Sequence, residues 1–536
     1  MFEHMFGAAQ TVYQAFAHRA GLHPGRPAFN VMPETARAYG IEAGEVSYGA
    51  ALAEVDGFAD AFAEAGYGAG MRVALLLENR PVYFLIWLAL NRIEASVVPI
   101  NPDLRAAELE YLIGHSEPAL IVAIPARVPE LAVAAKAAGI ELRVIAPGDD
   151  VPGPRAGAVV AEDADGDLRE AAILYTSGTT GKPKGCVLPN AYFLMAARWY
   201  RGLGGIVSLR EEGERMITPL PVFHMNAMAA SFMGMLSVGG CLTVLDRFHP
   251  KTWWDNVRAS GATCLHYLGV MPSILMKMPE TPDDVMENVR FGFGAGVDPK
   301  LHAPFEARFG FPLCEGWAMT ETGTAVHLTN NADGRLVGAS CLGVPTDDVD
   351  MKIVPEPGAD YGELLVRRAG DAPRYGFFSH YYKNPAATAE AWEGGYFHTG
   401  DLVRRDDQGR FFFVDRKKNV IRRSGENIAA VEVESILMKH PSIQAAGVAA
   451  VPDDLRGDEV FACLTVSDGT RAEDIVRWCL DQMAYYKAPG YVAFVDGLPL
   501  TATQKIQRGE LKALAAGLMG ADGTVDTRHL KKRQVA

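Results

Sequence analysis

The sequence of 536 residues predicts an α/β fold with a large first part and a smaller C-terminal unit. Three observations predict it. Up to about residue 340, short apolar runs alternate with longer helical patterns, which is typical of α/β architecture. After that point the runs become shorter and mix apolar with polar residues. A charge-dense segment at 415–419 then precedes a final α/β stretch of roughly 120 residues, enough for a small domain.

The first elements follow one another in a regular order. Continuous apolar runs predict strands that are buried on both faces of a parallel sheet, because helices cover both faces of such a sheet. Helical patterns fill the spaces between them. The predicted elements are a strand at 73–77, a helix at 82–92, a strand at 95–100, a helix at 106–114, and strands at 119–123, 216–220, 240–245 and 289–292.

The later elements differ in pattern. Strands predicted at 351–354, 362–366 and 410–414 are short, and they suggest a smaller and more antiparallel unit. We place a domain boundary near residue 416, at the charge-dense segment.

Composition and charge exclude several classes of protein. Lys and Arg number 51 against 65 Asp and Glu, a net charge of −14, which argues against non-specific nucleic-acid binding. The longest apolar stretch, Val82 to Leu90, is about half the length of a membrane span, so a buried helix is expected and no membrane insertion. The N-terminus lacks the basic and apolar segments of a secretory signal.

The seven cysteines point the same way. They are odd in number, scattered and never spaced as CxxC, which argues against a disulfide framework and a cysteine-rich zinc site. We expect most of them to be buried as small apolar side chains in a reducing, cytoplasmic setting.

The most informative segment runs from Ile173 to Gly185. A predicted strand ends here in four hydroxyl residues, three glycines and two lysines within ten positions. Glycines let backbone N–H groups approach an anion, hydroxyls donate to phosphate oxygens, and lysines supply charge, so a nucleotide phosphate is the natural ligand. The spacing is not that of a P-loop, and a solvated Gly/Thr turn is the alternative.

This segment resembles the phosphate loop of the adenylate-forming (ANL) superfamily, which includes acyl-CoA synthetases, adenylation domains and luciferases. Six further motifs follow in the order seen in that superfamily and cover most of the chain. They are PVFH at 221–224, EGWAMTE at 315–321, YFHTGD at 396–401, DRKK at 415–418, SGENI at 424–428 and LPLTATQKI at 498–506. Among the branches, the sequence most resembles the bacterial acyl-CoA ligases of the crotonobetaine/carnitine-CoA ligase type.

The resemblance implies a fold and a reaction. The fold is a large N-terminal domain of stacked α/β sheets plus a small β-barrel at 1–415, a hinge at 416–418, and a mobile C-terminal α/β domain at 419–536. The reaction joins a carboxylic acid and ATP into an acyl-adenylate and pyrophosphate, after which the thiol of coenzyme A (CoA) displaces AMP. The implied cofactors and co-substrates are ATP, Mg²⁺ and CoA.

Nucleotide-binding positions are carried over from the matching motifs. Those implied to hold the β- and γ-phosphates are Thr176, Ser177, Gly178, Thr179, Thr180, Gly181, Lys182 and Lys184. Those implied for the nucleoside and α-phosphate are Gly294, Ala295, Gly296, Glu315, Gly316, Trp317, Ala318, Met319, Thr320, Asp401 and Arg416. Trp317 takes the place of the usual tyrosine, and its indole can stack on adenine. Ala318 replaces the usual glycine.

Catalytic positions follow in the same way. Lys505 matches the lysine that bridges the carboxylate and the α-phosphate, although Gln504 replaces the motif's usual glycine. Glu321 matches the Mg²⁺ ligand, and Lys418 falls at the hinge. His224 resembles the gate between the acyl site and the CoA tunnel, with a packed core histidine as the alternative. The residues implied to border the CoA channel are Ser424, Gly425 and Glu426.

Acyl specificity rests on the neighbourhood of these motifs. The candidate pocket residues, besides Trp317 and Met319, are Met225, Asn226, Met228, Leu268, Gly269, Phe293 and Thr322. They are mostly apolar, with adaptable thioethers among them. No added charge is present to recognise a trimethylammonium group, so the expected substrate is a medium-chain, alicyclic or aromatic acid.

Two other functions stay open. A stand-alone adenylating enzyme would pass the acyl group to a carrier-protein thiol, whereas the Gly425 region favours CoA. A non-catalytic nucleotide-binding regulator would be expected to lose Lys505 or Glu321, and both are present. The expected partners are a small carboxylic acid, ATP and CoA, with no nucleic acid; a homodimer is left open.

Overall fold

The computed structural model describes residues 5–158, 160–161, 164, 166–176, 182–332, 334–355, 361–416, 420–467, 469–499, 506 and 508–532. At Asp415, Arg416, Val420, Asn427, Ala429 and Val431 it describes the backbone alone. The predicted site residues 177–181, Lys418 and Lys505 lie outside these ranges.

The strands are, in chain order, β1 (Pro27–Val31), β2 (Gly44–Ser47), β3 (Arg72–Leu76), β4 (Ser96–Pro99), β5 (Leu120–Ala123), β6 (Val144–Ile145), β7 (Glu170–Thr176), β8 (Lys184–Pro189), β9 (Arg215–Thr218), β10 (Cys241–Val244), β11 (Cys264–Leu268), β12 (Phe291–Ala295), β13 (Leu313–Met319), β14 (Gly323–Asn330), β15 (Cys341–Gly343), β16 (Val349–Pro355), β17 (Gly362–Arg368), β18 (His380–Tyr381), β19 (Phe397–Arg405), β20 (Phe411–Arg416), β21 (Val420–Arg423), β22 (Glu426–Ala429), β23 (Ile443–Asp453), β24 (Gly457–Val466), β25 (Tyr491–Phe494) and β26 (Thr524–Asp526).

The α-helices are α1 (Val12–Leu22), α2 (Pro33–Tyr39), α3 (Tyr48–Glu64), α4 (Pro81–Arg92), α5 (Ala106–Ser116), α6 (Val128–Ala137), α7 (Asn190–Gly202), α8 (Phe232–Val238), α9 (Trp253–Ala259), α10 (Val270–Met276), α11 (Pro299–Phe309), α12 (Pro385–Ala391), α13 (Ala430–Leu437), α14 (Ala472–Gln482) and α15 (Arg508–Leu518). A π-helix at Asn226–Ser231 runs directly into α8. Short 3₁₀ turns lie at Pro125–Arg127, Gly166–Leu168, Gly205–Val207, Glu393–Gly395 and Arg528–Leu530.

Two largely parallel sheets form the first part of the chain. One has eight strands in the order β14-β13-β12-β11-β9-β10-β1-β2, and the other has seven in the order β18-β8-β7-β4-β3-β5-β6. Their central strands pair in parallel, whereas β2, β14, β8 and β18 pair antiparallel with their neighbours. Every residue of β3, β4 and β5 is buried, as the continuous apolar runs predict.

Helix α4 is the buried helix that the sequence predicts at 82–92. Nine consecutive residues from Tyr83 to Asn91 are buried, and the Trp87 indole donates a hydrogen bond to the Ala171 carbonyl at 3.2 Å. The helix shares one hydrophobic core with residues of both large sheets. In the part of the chain that the structure covers, no helix combines the length and apolar character needed to cross a membrane.

Two smaller sheets follow. Strands β15, β20, β19, β17 and β16 form an antiparallel sheet in that order. The C-terminal sheet runs β22-β21-β24-β25-β26, with β23 paired to β24. From Ile421 onward, buried apolar residues form clusters separate from the N-terminal core. The predicted α/β class, with a large N-terminal and a small C-terminal part, is confirmed.

The predicted strands are all present, but their ends differ from the observed ones by up to three residues. The strand predicted at 289–292 is β12, which starts at Phe291 and continues through two glycines. Those glycines are required by close packing: a Cβ at Gly294 would lie 2.2 Å from the Tyr267 carbonyl oxygen. The strand predicted at 410–414 continues to Arg416. All seven cysteines are buried and unpaired, as predicted.

Candidate active site

A cavity of about 1150 Å³ lies where the carboxyl ends of β7, β11, β12 and β13 meet the C-terminal domain. In open α/β sheets this edge is where ligands bind. The C-terminal contribution includes Gly425, Glu426, Glu432 and Lys487, so the cavity is bounded by both parts of the chain.

The predicted nucleotide-binding residues divide into those at the cavity wall and those behind it. The wall includes Thr176, Lys182, Gly294, Ala295, Gly316, Trp317, Ala318, Met319 and Thr320. Lys184, Gly296, Glu315 and Asp401 do not line it. The side chain of Arg416 lies outside the described part of the structure.

Glu315 fixes the loop that follows β12. Its Oε1 atom accepts hydrogen bonds from the backbone N–H groups of Gly296 at 3.0 Å and Val297 at 3.1 Å. Burial raises the pKa of Glu315, whereas nearby His302 and the two N–H groups oppose that rise. Its position behind the wall therefore shapes the predicted adenine-side loop from within.

Trp317 and Asp401 are joined directly. The Trp317 indole donates a hydrogen bond to Asp401 Oδ2 at 2.8 Å, and the Asp401 side chain is only 1% exposed. The Asp401 backbone N–H donates to the Thr399 hydroxyl, which donates in turn to the Leu364 carbonyl. The tryptophan that replaces a tyrosine thus orients the carboxylate that the motifs assign to ribose.

Glu321 lies at the cavity wall and is 8% exposed. The Tyr381 hydroxyl donates to its Oε1 atom at 2.9 Å. No cluster of three or more His, Cys, Asp or Glu residues suited to a metal is found among the described residues. A single carboxylate at the wall that also contains Thr176 and Lys182 nevertheless fits Mg²⁺, which is commonly held by one or two carboxylates with phosphate oxygens and water.

The hairpin turn between β21 and β22 consists of Ser424 and Gly425, and of these two predicted CoA-channel residues only Gly425 lines the cavity. Both residues have positive φ, 52° and 89°, which is the backbone of a two-residue type I′ turn. A Cβ atom at Gly425 would lie 2.1 Å from Leu268 Cδ1, so this turn packs tightly against the end of β11.

His224 of the N-terminal domain faces Glu426 of the C-terminal domain across the interface between them. The His224 Nε2 atom lies 3.4 Å from the Glu426 carboxylate. Burial opposes the charged imidazole, but the Glu426 carboxylate outweighs this and raises the pKa of His224. The residue assigned to the gate is therefore a partner of the C-terminal hairpin, and it is not enclosed in the core: its side chain is 41% exposed.

A buried ion cluster joins the domains beside this hairpin. The Lys487 ammonium lies 2.6 Å from Glu108 of α5 and 2.7 Å from Glu432 of α13. Glu108 also accepts from the backbone N–H of Ala484 at 2.9 Å. Burial would lower the pKa of Lys487, but the two carboxylates outweigh it and raise that pKa, so the amine is charged.

The end of the cavity bordered by Leu268 and Phe293 is aromatic and uncharged. Trp199, His266, Leu268 and Phe293 line it, and the Trp199 and Phe293 rings lie 5.8 Å apart. The His266 ring contacts the Tyr200 hydroxyl at 2.8 Å. Burial lowers the pKa of His266 to about 3, so this ring is neutral at physiological pH.

Four of the predicted acyl-pocket residues, Met225, Asn226, Leu268 and Phe293, line the cavity. Met228, Gly269 and Thr322 do not. Met228 and Thr322 are fully buried, and a Cβ at Gly269 would overlap the Gly296 carbonyl at 1.6 Å. These three residues therefore support the wall from behind.

Two family models match the chain. The model described as AMP-binding enzyme covers residues 16–376, and the AMP-binding enzyme C-terminal domain covers residues 432–505. The chain belongs to the AMP-binding enzyme family.

A curated relative of this AMP-binding enzyme is the crotonobetaine/carnitine–CoA ligase of Salmonella typhi. It is 30% identical over 488 residues, which span 87% of this chain and 93% of the relative. The resemblance to the adenylate-forming superfamily is confirmed, and so is the class of enzyme, an AMP-forming acid–thiol ligase.

Solved structures share the fold. The o-succinylbenzoate CoA synthetase of Bacillus subtilis, as a double mutant bound with its product analogue, superimposes with a TM-score of 0.78 at 23% identity over 93% of this chain and 98% of its own. The same synthetase in complex with AMP superimposes with a TM-score of 0.61 at the same identity and coverage. At this identity the likeness shows the fold.

Motif reasoning missed several residues at the site of this AMP-binding enzyme. Trp199 lies on α7 and His266 on β11, outside every motif quoted from the sequence. Glu108 and Lys487 meet only because the two domains pack together. Tyr381 follows Phe377 and Phe378 in an aromatic run that by itself predicts only packing.

Proposed function

We propose that this AMP-binding enzyme activates a carboxylic acid with ATP and transfers the acyl group to CoA. A carboxylate oxygen attacks the α-phosphorus of ATP and pyrophosphate leaves. The CoA sulfur then attacks the acyl carbon, the thiol proton is lost to solvent, and AMP leaves with the former carboxylate oxygen. The observation that carries the proposal is one cavity that is lined both by residues of the nucleotide motifs and by Gly425 and Glu426 of the C-terminal hairpin.

The residues of the N-terminal domain suit the first step. Thr176, Lys182 and Thr320 line the cavity and would bind phosphate oxygens, while the Trp317–Asp401 pair would bind the nucleoside. Bound Mg²⁺ would be held by Glu321 and would neutralise phosphate charge. Preorganised donors and charges at the site of charge transfer are the main catalytic contribution in such reactions.

The domain arrangement suits the second step. The Gly425 turn, the His224–Glu426 pair and the Lys487 cluster hold the C-terminal domain against the cavity. The better superposition on the product-analogue complex than on the AMP complex supports this assignment. We propose that rotation about residues 416–418, with Lys418 at the hinge, exchanges this pose for an adenylating one that carries Lys505.

The acyl end of the cavity favours an uncharged, ring-sized substrate tail. Trp199, Phe293 and Leu268 supply apolar surface, and the neutral His266 supplies no ionic partner. A quaternary ammonium tail would lose its hydration there with no carboxylate in compensation. We therefore infer an aromatic, alicyclic or medium-chain acid, in contrast to the substrates in the name of the Salmonella relative.

The decisive experiment measures AMP release from MgATP with a panel of carboxylic acids, with and without CoA. Acid-dependent release that rises steeply with CoA is expected, with aromatic and alicyclic acids ahead of carnitine. Pyrophosphate exchange without stimulation by CoA would instead indicate a carrier-protein thiol as acceptor. Binding of ATP without either activity would indicate a regulator.

A conservative change in the ion cluster tests the docked pose. Glu108→Gln can still accept the N–H groups of Arg105 and Ala484, but it places an amide against the Lys487 ammonium. Because a hydrogen bond between charged groups contributes about 1.5–3 kcal/mol, we expect reaction of a supplied acyl-adenylate with CoA to slow about 10-fold. Pyrophosphate exchange should be unchanged.

Glu54 provides the control, because it is an exposed glutamate within helix α3 of the same domain and is not among the residues that line the cavity. Glu54→Gln should leave both half-reactions at the wild-type rate. Equal slowing of both half-reactions by Glu108→Gln would contradict a role confined to the docked pose.

A further inference from the structure

The side chains of Lys184, Tyr381 and Glu321 lie in a row. The Lys184 ammonium lies over the Tyr381 ring, 4.6 Å from its centroid, and the Tyr381 hydroxyl donates to Glu321 at 2.9 Å. Lys184 belongs to β8, Tyr381 to β18, and Glu321 to the turn after β13. The tyrosine therefore links the phosphate-loop strand of one large sheet with the carboxylate presented by the other.

The backbone holds this tyrosine in place without help from its hydroxyl. Strand β18 pairs antiparallel with β8, which sets Tyr381 opposite Cys186. The N–H group of Phe378 donates to the Glu321 carbonyl at 2.9 Å, and the N–H group of Tyr382 donates to the Gly185 carbonyl at 2.7 Å. Removal of the Tyr381 hydroxyl should therefore leave the ring where it is.

The Tyr381 hydroxyl acts as a permanent donor. The phenol supplies the proton of this hydrogen bond, because an ionised carboxylate can only accept. A carboxylate held by one fixed hydrogen bond has fewer orientations than one that rotates freely. Fixed carboxylate orientation is what a small cation with strict geometry requires.

We propose that Tyr381 is a positioning residue for the metal-binding carboxylate of Glu321, and that the Lys184 ammonium, which packs on the Tyr381 ring, helps to hold the tyrosine in place. This inference rests on the proposed function, in which Glu321 holds Mg²⁺ together with the ATP phosphates. It adds that Tyr381 contacts both Lys184 and the metal-binding carboxylate of Glu321, so one side chain fixes the positions of both groups.

The test compares Tyr381→Phe with Tyr382→Phe in the full chain. Tyr382 is the adjacent buried tyrosine, and its ring packs on Arg72, 4.3 Å from the guanidinium carbon. Mn²⁺ binding in the presence of ATP is measured by electron paramagnetic resonance, and ATP binding without metal by calorimetry. Loss of an outer partner of a metal ligand typically weakens metal binding by at least about 10-fold.

We therefore expect Tyr381→Phe to raise the dissociation constant for Mn²⁺ about 10-fold. Metal-free ATP affinity should be unaltered, and Tyr382→Phe should match the wild type in both. Partial unfolding would weaken the binding of metal-free ATP as well, so an unaltered ATP affinity separates the metal effect from a loss of folded protein. Wild-type Mn²⁺ affinity in Tyr381→Phe would overturn the inference.

Glu321→Gln separates this inference from the proposed function. If Glu321→Gln weakens Mn²⁺ binding and Tyr381→Phe does not, the positioning role fails while the proposed site for the metal survives. If neither variant changes Mn²⁺ binding, Glu321 does not hold the metal, and both the inference and that part of the proposed function fail.

Discussion

Replacement of Gly425 by leucine is expected to slow acyl-CoA formation on the order of 100-fold, while acid-dependent exchange of pyrophosphate into ATP continues. Two costs combine in the docked pose. A residue with a Cβ at φ 89° is strained by about 1–2 kcal/mol. Its side chain would also meet Leu268, since the Cβ alone comes within 2.1 Å of Cδ1, and overpacking typically costs about 1–3 kcal/mol.

A second glycine with positive φ, Gly469, serves as a control that separates the steric clash with Leu268 from the backbone strain. Gly469 lies in the same domain at φ 81°, and a Cβ added there would have no atom within 4 Å. Gly469→Leu should therefore leave CoA-dependent turnover close to the wild-type rate. A second variant, Gly425→Ala, adds only the Cβ atom. In that background Leu268→Ala should partly restore turnover, because it removes the Cδ1 atom that the new Cβ meets. Unchanged acyl-CoA formation in Gly425→Leu would remove this turn from the CoA channel.

Much of the N-terminal fold could be predicted because its signals are local. Strands β3, β4 and β5 are continuous apolar runs, and such runs are typical of strands covered on both faces. Helix α4 could be distinguished from a membrane span by length alone. The start of β12 was harder to predict, because its glycines reflect the approach of the Tyr267 carbonyl, and that contact is not local in sequence.

Site residues could be predicted where they lie within a sequence motif, but not where they reach the site only through tertiary contacts. His224, Trp317, Glu321 and Gly425 come from three separate motifs, the last of them at the C-terminal hairpin, and all line one cavity. The Glu108–Lys487 pair joins residues 379 positions apart, and neither lies in a motif. Such pairs depend on how two domains dock, and one sequence holds no local signal for docking.

The acyl pocket shows the same limit within one domain. Met228 and Thr322 stand next to motif residues, yet the chain turns their side chains into the core. Trp199 reaches the cavity from α7, a helix that lies outside every motif and outside the elements predicted from the sequence. Proximity in sequence therefore predicted about half of the pocket and missed its aromatic wall.

Replacement of Lys505 by alanine is expected to reduce acid-dependent pyrophosphate exchange by about 10²–10³-fold, the usual loss when one donor to a developing charge is removed. Adenylation brings two anions together, a carboxylate and an α-phosphate, so a cation is needed between them. Four lysines line the described part of the cavity. Lys487 is held by Glu108 and Glu432, and Lys383 by Glu117. Lys182 is assigned to the β- and γ-phosphates, and Lys439 is an exposed residue just after α13. The missing charge is therefore expected from the C-terminal domain after rotation.

The variant should still convert a supplied acyl-adenylate and CoA into acyl-CoA and AMP, because the second step uses the docked pose, in which Gly425 lines the cavity. Lys532→Ala is the control, since Lys532 is an exposed lysine of the same domain. It should leave both half-reactions unchanged. Loss of both half-reactions to the same extent in Lys505→Ala would instead indicate a structural role, because a lysine confined to the adenylating pose cannot slow a reaction that begins from the finished adenylate.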